Sequence, residues 1–452
     1  MSFVSLDYLV FLALATAILN ICSRFDSRNK IPLLIINYTF YCLWDYRFAV
    51  LLLILTIIVY SCALNHKKKY YYLAGIILPL AVLCFFKYFD FFLENIGQNR
   101  LNIIIPVGIS FYIFEAISYV IDVKRGLINA EKDFLSFATY LSFFPNIVSG
   151  PIARAPKLLP QIKKGLAIRI DNMLVGIQIM AFGYFKKMVI ADHLAVFVDD
   201  VYRMPEAFSS MTVLLAVLSY SILIYMDFSG YSDIAIGTAK CLGIEFDRNF
   251  NLPYLAKSVS EFWHRWHISL STWFRDYVYI PLGGNRLGRT RQYLNQLIVM
   301  TLSGLWHGAD WTFVFWGGLN GLLMIAEKII MPKASHKAGN IFRIILTYFL
   351  ISLTWIFFRA DSLGQAFVIL KQIFIFEKGI VQPYLWSFFA FGILLVSSLW
   401  AASKAEDKDR IDGFYPILDL KTTKGLTIFF VFVGLIICLA YTNANPFVYL
   451  QF

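Results

Sequence analysis

The sequence predicts an all-α polytopic membrane protein, and three observations lead to that class. Of its 452 residues, 59% are hydrophobic and only 15% are charged, whereas soluble domains average about 45–50% and about 25%. The mean hydropathy is +0.65. Several apolar runs approach the roughly 20 residues that a helix needs to cross a bilayer. These features exclude a soluble globular protein and a disordered one.

Thirteen apolar segments could form spans or re-entrant helices, and several of them are short or carry charge. They lie near 7–22, 31–44, 48–64, 71–88, 101–121, 134–150, 172–200, 210–228, 292–307, 311–331, 341–358, 383–402 and 424–443. We therefore expect about 10–13 transmembrane helices. No linker divides the chain, which predicts a single membrane domain over 1–452. Within it we expect N-terminal helices at 1–84, a core at 85–358 and C-terminal helices at 359–452.

The net charge of +11 has a distribution that is typical of membrane topology. The basic residues fall in short gaps between apolar runs, for example at Lys67–Lys69, as the positive-inside rule predicts for cytoplasmic loops. We therefore expect a lipid bilayer rather than nucleic acid as partner.

The first run, Tyr8–Cys22, has no Lys or Arg before it, which predicts a retained span with an outer N-terminus instead of a signal peptide. The six cysteines show no C-x-x-C spacing, so neither disulfides nor a zinc site is expected.

Residues 245–291 interrupt the apolar pattern. This stretch holds eleven charged residues and is dense in Trp, Tyr and Phe. It is too polar to span the bilayer and too aromatic to be a plain loop. We expect it to lie at the membrane interface or to enter a protein-lined cavity. The functional residues are expected in this stretch.

A helix is predicted to begin at Val259, because Ser258 and Glu261 have the spacing of a capping box. On a helical wheel through 259–279, apolar side chains form one stripe about 100° wide. Its members are Trp263, Trp266, Leu270, Trp273, Phe274 and Tyr277. The wheel predicts a continuous amphipathic helix at the bilayer surface.

The two histidines of this helix separate on the wheel. His264 falls among polar residues and should be solvated. His267 falls beside Phe274 at the edge of the stripe, where burial would favour a neutral imidazole. Such a residue can be a base or a hydrogen-bonded core residue, and the wheel leaves both open. Glu261, His264 and His267 could suggest metal ligands, but the two histidines point about 60° apart and no second ligand cluster exists. We expect no metal.

A third histidine, His307, lies between two apolar runs. Ionisable residues at membrane depth are costly and by default functional. Gly304 and Gly308 flank it and remove side-chain bulk, which would let another group approach the ring. The alternative is a histidine that packs between helices beside small residues.

Two other polar elements need partners. Asp227 and Asp233 lie in an aromatic stretch that contains Gly230, and intramembrane carboxylates should be paired. The loop 281–291 combines three glycines with three arginines. It could hold phosphates through backbone N–H groups and guanidinium forks, or it could anchor the topology on the cytoplasmic side.

These residues together resemble a known family, the membrane-bound O-acyltransferases (MBOAT). Residues 261–284 read EFWHRWHISLSTWFRDYVYIPLGG and are similar to the signature of that family, and residues 306–308, WHG, resemble its second histidine element. Further matches are FFPNIVSGP at 143–151, MDFSGYSD at 226–233 and NFNLPY at 249–254. The ending YIPLGG looks like that of alginate and peptidoglycan O-acetyltransferase membrane subunits.

The resemblance implies an MBOAT-type ring of helices, with re-entrant or interfacial helices around a central funnel. It implies that His307 is the catalytic histidine and His267 the second one. His264 stands where close relatives commonly carry Arg, so no role is transferred to it. We also expect Trp306, Arg265, Arg275 and Asp276 to bind substrate.

The resemblance further implies acetyl transfer from a cytoplasmic donor, acetyl-CoA, for O-acetylation of an extracytoplasmic polysaccharide, with no bound cofactor. The protein would lie in the bacterial cytoplasmic (inner) membrane. The chain has no G-x-S-x-G element, so a separate SGNH-like extracytoplasmic acetyltransferase is the expected partner. One alternative is D-alanyl transfer from a carrier protein to teichoic acid. Another is a transporter without chemistry, which would spread pathway charges over several spans.

Overall fold

The computed structural model describes residues 2–26, 30–148, 150–330, 337–403 and 415–441. Within these ranges the regular elements are helices, and the extended pairing is one isolated bridge between Phe208 and Ile380. The predicted all-α class is confirmed. Residue 331 and residues 442–443, at the ends of two predicted apolar segments, lie outside the described residues, as does Ser149 of the 143–151 element.

Nineteen α-helices are described. In chain order they are α1 (Leu6–Phe25), α2 (Ile31–Cys42), α3 (Tyr46–Leu64), α4 (Lys69–Leu83), α5 (Phe89–Asn95), α6 (Ile109–Lys124), α7 (Phe134–Leu141), α8 (Ala155–Lys164), α9 (Ile170–Tyr184), α10 (Asp192–Arg203), α11 (Ser210–Cys241), α12 (Val259–Arg265), α13 (Ile268–Phe274), α14 (Arg289–His307), α15 (Trp311–Ile330), α16 (Lys337–Arg359), α17 (Leu363–Phe374), α18 (Leu385–Ser403) and α19 (Thr423–Leu439). Three π-helical segments, Cys84–Tyr88, Phe185–Ala191 and Arg275–Tyr279, continue α4, α9 and α13.

Seven of the described helical segments are long and apolar enough to cross a membrane, which makes this a polytopic membrane protein. They are Leu6–Phe25, Tyr46–Leu64, Lys69–Asn95, Ile170–Arg203, Ser210–Cys241, Trp311–Ile330 and Asn340–Arg359. Four further apolar helices are shorter. The number of 10–13 crossings stays a prediction, because it depends on whether those shorter helices also cross.

Three further predicted apolar segments form helices that are neither among the seven spans nor among the four shorter apolar helices. Helix α6, at 101–121, has 16 residues and α7, at 134–150, has 8. At 1.5 Å per residue both are shorter than a hydrocarbon core of about 30 Å. Helix α14, at 292–307, has 19 residues but begins with the polar sequence RTRQ. None of these three helices is expected to cross the bilayer by itself, and each can pack inside the protein.

The chain divides into two compact units. The first consists of Met1–Gly183, Tyr231–Asp247 and Ile417–Phe429, and the second of Tyr184–Gly230, Arg248–Pro416 and Phe430–Phe452. Both histidine elements lie in the second unit. The division of the chain at 84/85 and 358/359 stays a prediction, as do the ring and the funnel.

A buried ion cluster lies within the second unit. The Lys187 Nζ atom is 2.8 Å from Asp192 Oδ1 and 2.6 Å from Asp227 Oδ1, and all three side chains are at most 2% exposed. Lys187 belongs to the π-helical segment that joins α9 to α10, and Asp227 belongs to α11. The intramembrane carboxylate Asp227 is thus paired, as such groups must be.

Candidate active site

The predicted interfacial helix is two short helices rather than one. It begins at Val259 as expected, with the Ser258 hydroxyl accepting the Glu261 N–H at 2.9 Å. However, α12 ends at Arg265, and α13 begins only at Ile268. Between them His267 adopts a left-handed backbone conformation, with φ of 43°. The continuous helix over 259–279 was therefore wrong: the wheel assumed an unbroken 3.6-residue period, and the chain interrupts it at His267.

The aromatic stripe, expected at the bilayer surface, is instead buried within the protein. Trp263, Trp266, Leu270, Trp273 and Phe274 are buried, and Tyr277 is half-buried. The left-handed residue reorients the chain, so α12 and α13 can each turn their apolar side chains inward.

The two neighbouring histidines have different surroundings, as the sequence indicated. His264 is exposed, and its Nδ1 lies 2.6 Å from the Ser260 carbonyl oxygen one turn earlier. His267 is 1% exposed. Burial lowers the pKa of His267 to about 3, because a charged imidazolium would lose its hydration there. Near neutral pH the His267 ring is neutral.

The segment 249–251 supports the break between α12 and α13. The Asn249 carbonyl accepts the Ile268 N–H at 2.9 Å, and the Asn251 N–H donates to the Arg265 carbonyl at 2.9 Å. The Asn249 side chain, 1% exposed, contacts His267 and Ser269 through its Oδ1 atom. One short segment therefore holds the chain on both sides of His267.

His307 is the last residue of α14 and is 3% exposed. Its ring centroid lies 5.0 Å from that of Trp306, 5.3 Å from that of Trp316 and 5.3 Å from that of Phe358. All three contacts are edge-to-face. The imidazole is therefore held on several sides by bulky rings from α14, α15 and α16.

The glycines beside His307 do not leave open space for a ligand, which corrects the sequence-based interpretation. A Cβ atom on Gly304 would lie 2.2 Å from the Phe313 carbonyl oxygen, and one on Gly308 would lie 2.1 Å from the Phe313 ring. Gly317 of α15 is also in contact with Gly304. The missing side chains let α15 approach α14 closely, so the space is filled by the protein itself.

The two buried histidines are brought together although 40 residues separate them in the sequence. Their ring centroids are 6.4 Å apart, and Trp306 lies 5.9 Å from His267. Phe228 packs edge-to-face on His267 at 4.6 Å. We call these two imidazoles the histidine pair. A pair of imidazoles in a desolvated aromatic environment can accept and donate protons at a substrate that enters between them.

The other predicted substrate-binding residues have different settings. Trp306 lies against the histidine pair. Arg265 pairs with Glu261 at 2.6 Å and also donates to the Asn251 carbonyl at 3.3 Å. Arg275 pairs with its neighbour Asp276 at 2.8 Å. These partners lie nearby in the chain and account for the charges of Arg265, Arg275 and Asp276 without a substrate, so their substrate-binding role stays a prediction.

The predicted glycine–arginine loop is a turn only up to Gly288, and Arg289 and Arg291 lie in the first turn of α14. Gly283, Gly284 and Gly288 all have positive φ angles, which glycine adopts without steric cost. The Asn295 amide donates to the carbonyls of Leu282 and Gly284 at 3.2 and 3.0 Å. The three arginines of the loop are exposed. Both interpretations, phosphate binding and topological anchoring, remain open for them.

Sequence reasoning missed the residues that hold the histidine pair. Asn249, Phe228 and Trp316 contact a histidine from distant parts of the chain. The signal for the first two was present, since they lie in the elements 249–254 and 226–233. Among the described residues, no group of three or more His, Cys, Asp or Glu side chains could hold a metal ion.

A multi-span helical protein whose buried polar site is a histidine pair has the features of a membrane-embedded transferase. Residues 126–358, which contain both histidines, match the profile of "MBOAT, membrane-bound O-acyltransferase family". The chain belongs to this family, and it is therefore an acyltransferase.

Individual relatives carry three different names. The chain is 36% identical to the probable alginate O-acetylase AlgI of Pseudomonas aeruginosa, over 77% of this chain and 70% of that protein. It is 34% identical to the peptidoglycan O-acetyltransferase of Helicobacter pylori, over 76% and 73%. It is 28% identical to the teichoic acid D-alanyltransferase of Bacillus subtilis, over 49% and 59%.

Proposed function

We propose that this protein is an O-acetyltransferase of the bacterial cytoplasmic membrane. It takes an acetyl group from a cytoplasmic donor, acetyl-CoA, for the O-acetylation of an extracytoplasmic polysaccharide. The observation that carries the proposal is the buried histidine pair, in a chain with two relatives, at 36% and 34% identity, that are named as O-acetylating proteins. The relative that is named as a D-alanyltransferase is less similar and covers less of the chain.

His307 is the proposed general base. Its ring takes the proton of the acceptor hydroxyl while the hydroxyl oxygen attacks the acetyl carbonyl carbon. The carbon–sulfur bond of the thioester breaks, and the thiolate of CoA leaves and is protonated. An attack by the imidazole itself, giving an acyl-histidine intermediate, is the second route. His267 orients His307 or the acyl carbonyl.

A separate extracytoplasmic acetyltransferase of the SGNH type is the proposed partner, since the transfer ends outside the cytoplasm. The D-alanyl alternative requires a carrier protein with a phosphopantetheine arm in place of acetyl-CoA. Both reactions use the same histidine pair, so the donor has to be identified by experiment.

Labelled donors test the proposal directly. Membranes that contain the protein are supplied either with acetyl-labelled acetyl-CoA or with carrier-bound labelled D-alanine, and base-labile label on envelope polysaccharide is measured. We expect label from acetyl-CoA in membranes with the protein and none in membranes without it. Label from D-alanine alone would overturn the acetyl donor, and label from neither would overturn the proposed function.

The proposed cytoplasmic donor predicts on which side of the membrane the 281–291 loop lies. A Cys introduced at the exposed residue Asn285 should resist a membrane-impermeant thiol reagent in intact cells and react once the membrane is opened. The reason is that a cytoplasmic donor and the positive-inside rule both place the 281–291 loop inside. The exposed cysteines Cys42, Cys84 and Cys438 are first replaced by Ser. Labelling in intact cells would place the loop outside and contradict the proposed donor side.

The neighbouring histidines give a second prediction. His267→Ala should be severely defective in acetylation, because it removes a buried ring of the histidine pair. His264→Arg should be close to wild type, because its ring is exposed and bonded within its own turn. Polymer acetylation and the amount of protein in membranes are measured for both. An inactive His264→Arg variant, with active His267→Ala, would show that the wrong histidine has been placed in the site.

A further inference from the structure

We infer that Asn249 is a positioning residue that holds His267 in the tautomer protonated at Nδ1, so that Nε2 is a hydrogen-bond acceptor. This inference rests on the proposed function and refines the part that His267 plays in it. It follows from three hydrogen bonds that converge on a single oxygen atom.

The first two bonds fix the orientation of the Asn249 amide. The backbone N–H of Ser269 lies 3.2 Å from Oδ1 of Asn249, and the Ser269 hydroxyl lies 2.9 Å from the same atom. A backbone N–H can only donate, so the atom that faces it has to accept. That atom is therefore the amide oxygen and not the amide nitrogen.

The third bond fixes the tautomer of His267. Its Nδ1 lies 3.1 Å from the same Oδ1 atom. Because an amide oxygen only accepts, Nδ1 has to carry the hydrogen. A neutral imidazole has one N–H, so Nε2 retains its lone pair. Burial, which lowers the pKa of His267 to about 3, keeps the ring neutral.

The backbone supports the same arrangement. His267 has a φ of 43°, a strained conformation for a non-glycine residue that persists only where the surroundings enforce it. Asn249 supplies part of that enforcement, since its carbonyl accepts the Ile268 N–H at 2.9 Å. One residue thus contacts His267 and the first two residues of α13, Ile268 and Ser269.

An acceptor at Nε2 limits the hydrogen bonds that His267 can form with a substrate. It cannot donate a hydrogen bond to the acyl carbonyl, which excludes one of the two roles considered above. The 6.4 Å between the ring centroids is too long for a direct bond between the imidazoles, since donor and acceptor must come within about 3 Å. Any hydrogen-bonded link between the two rings therefore needs a bridging oxygen, such as that of a water molecule. His307 would donate its ring N–H to that oxygen, the oxygen would donate to Nε2, and the second nitrogen of His307 would accept the hydroxyl proton.

The tautomer can be measured without any assay of acetyl transfer. The full-length protein, labelled with ¹³C,¹⁵N-histidine and reconstituted in lipid, is studied by solid-state NMR, and the His267 signals are assigned from their loss in His267→Gln. We expect the Nδ1–H tautomer near neutral pH. The Nε2–H tautomer or an imidazolium would overturn the inference, whatever the substrate of the enzyme proves to be.

Variants of Asn249 test the positioning role. Asn249→Leu has no acceptor, and we expect mixed tautomers and a rate lower by roughly 10–100-fold, as when the partner that orients a functional histidine is lost. Asn249→Asp keeps the acceptor and should retain the Nδ1–H tautomer and most activity. Its carboxylate favours the imidazolium and raises the pKa of His267, so the acid limb of the pH–rate profile should move to higher pH.

Ser269→Ala is the matched control, because it removes a bond to the same oxygen without touching His267. Its tautomer and pH profile should be those of the wild type. The rings packed against His267 are Phe228, Trp306 and His307, and His307, the titratable one of these three, is unchanged in every variant. A wild-type pH profile in Asn249→Asp, or an unchanged tautomer in Asn249→Leu, would overturn the positioning role.

Discussion

Replacing His307 with alanine is expected to lower acetyl transfer by roughly 10²–10⁴-fold, the usual contribution of a positioned acid–base group. The ring is 3% exposed and lies 6.4 Å from that of His267, and no solvent molecule at such a buried position can replace a fixed base. Base-labile acetate on the polysaccharide and CoA release by isolated membranes are the measurements.

Two further variants separate loss of chemistry from loss of structure. His307→Gln has nearly the same volume, so it should keep the packing against Trp316 and Phe358 and still be inactive. His193→Ala is the matched control, since this histidine also stacks on a tryptophan, Trp386, at 4.0 Å, but belongs to α10 and not to the site. It should remain active. Wild-type acetylation by either His307 variant, at normal protein level, would contradict the role of base.

The sequence predicted the class of the fold because that class depends on composition and on local pattern. Apolar runs of about 20 residues predict spans wherever they occur, and the cap at Ser258 predicts the start of α12 from a four-residue pattern. The break at His267 has no such local signal, since neither Gly nor Pro is present there. It is stabilised by hydrogen bonds from Asn249 and Asn251, which precede it by more than 13 residues.

In the candidate site, too, some features follow from residues that are close in the sequence, and others depend on residues that are distant in it. The wheel separated His267 from His264 because burial on an amphipathic helix follows from side-chain spacing. The proximity of His267 to His307 depends on how α14 packs on its neighbours, and residue spacing cannot give that distance. The glycines are the clearest case: Gly304 and Gly308 indicated space beside His307, but only the structure shows that Phe313 and Gly317 fill it.

Replacing Lys187 with methionine is expected to have the largest effect on stability. The lysine is the described partner of two carboxylates, Asp192 and Asp227, in a cluster at most 2% exposed. Its removal takes the lysine cation away from both buried carboxylates, and breaking a buried ion pair in this way costs about 3–5 kcal/mol. We expect little protein in membranes and a lower melting temperature in detergent.

A triple variant, Lys187→Met with Asp192→Asn and Asp227→Asn, shows whether charge is the cause. It removes the lysine and both carboxylates together, so the cluster keeps no buried charge that lacks its counter-charge. The triple variant should therefore be more stable than Lys187→Met alone, although it carries more substitutions. Two results would contradict this prediction: a wild-type melting temperature for Lys187→Met, or a triple variant that is the least stable of the set. In either case the cluster does not stabilise the fold by compensating buried charge.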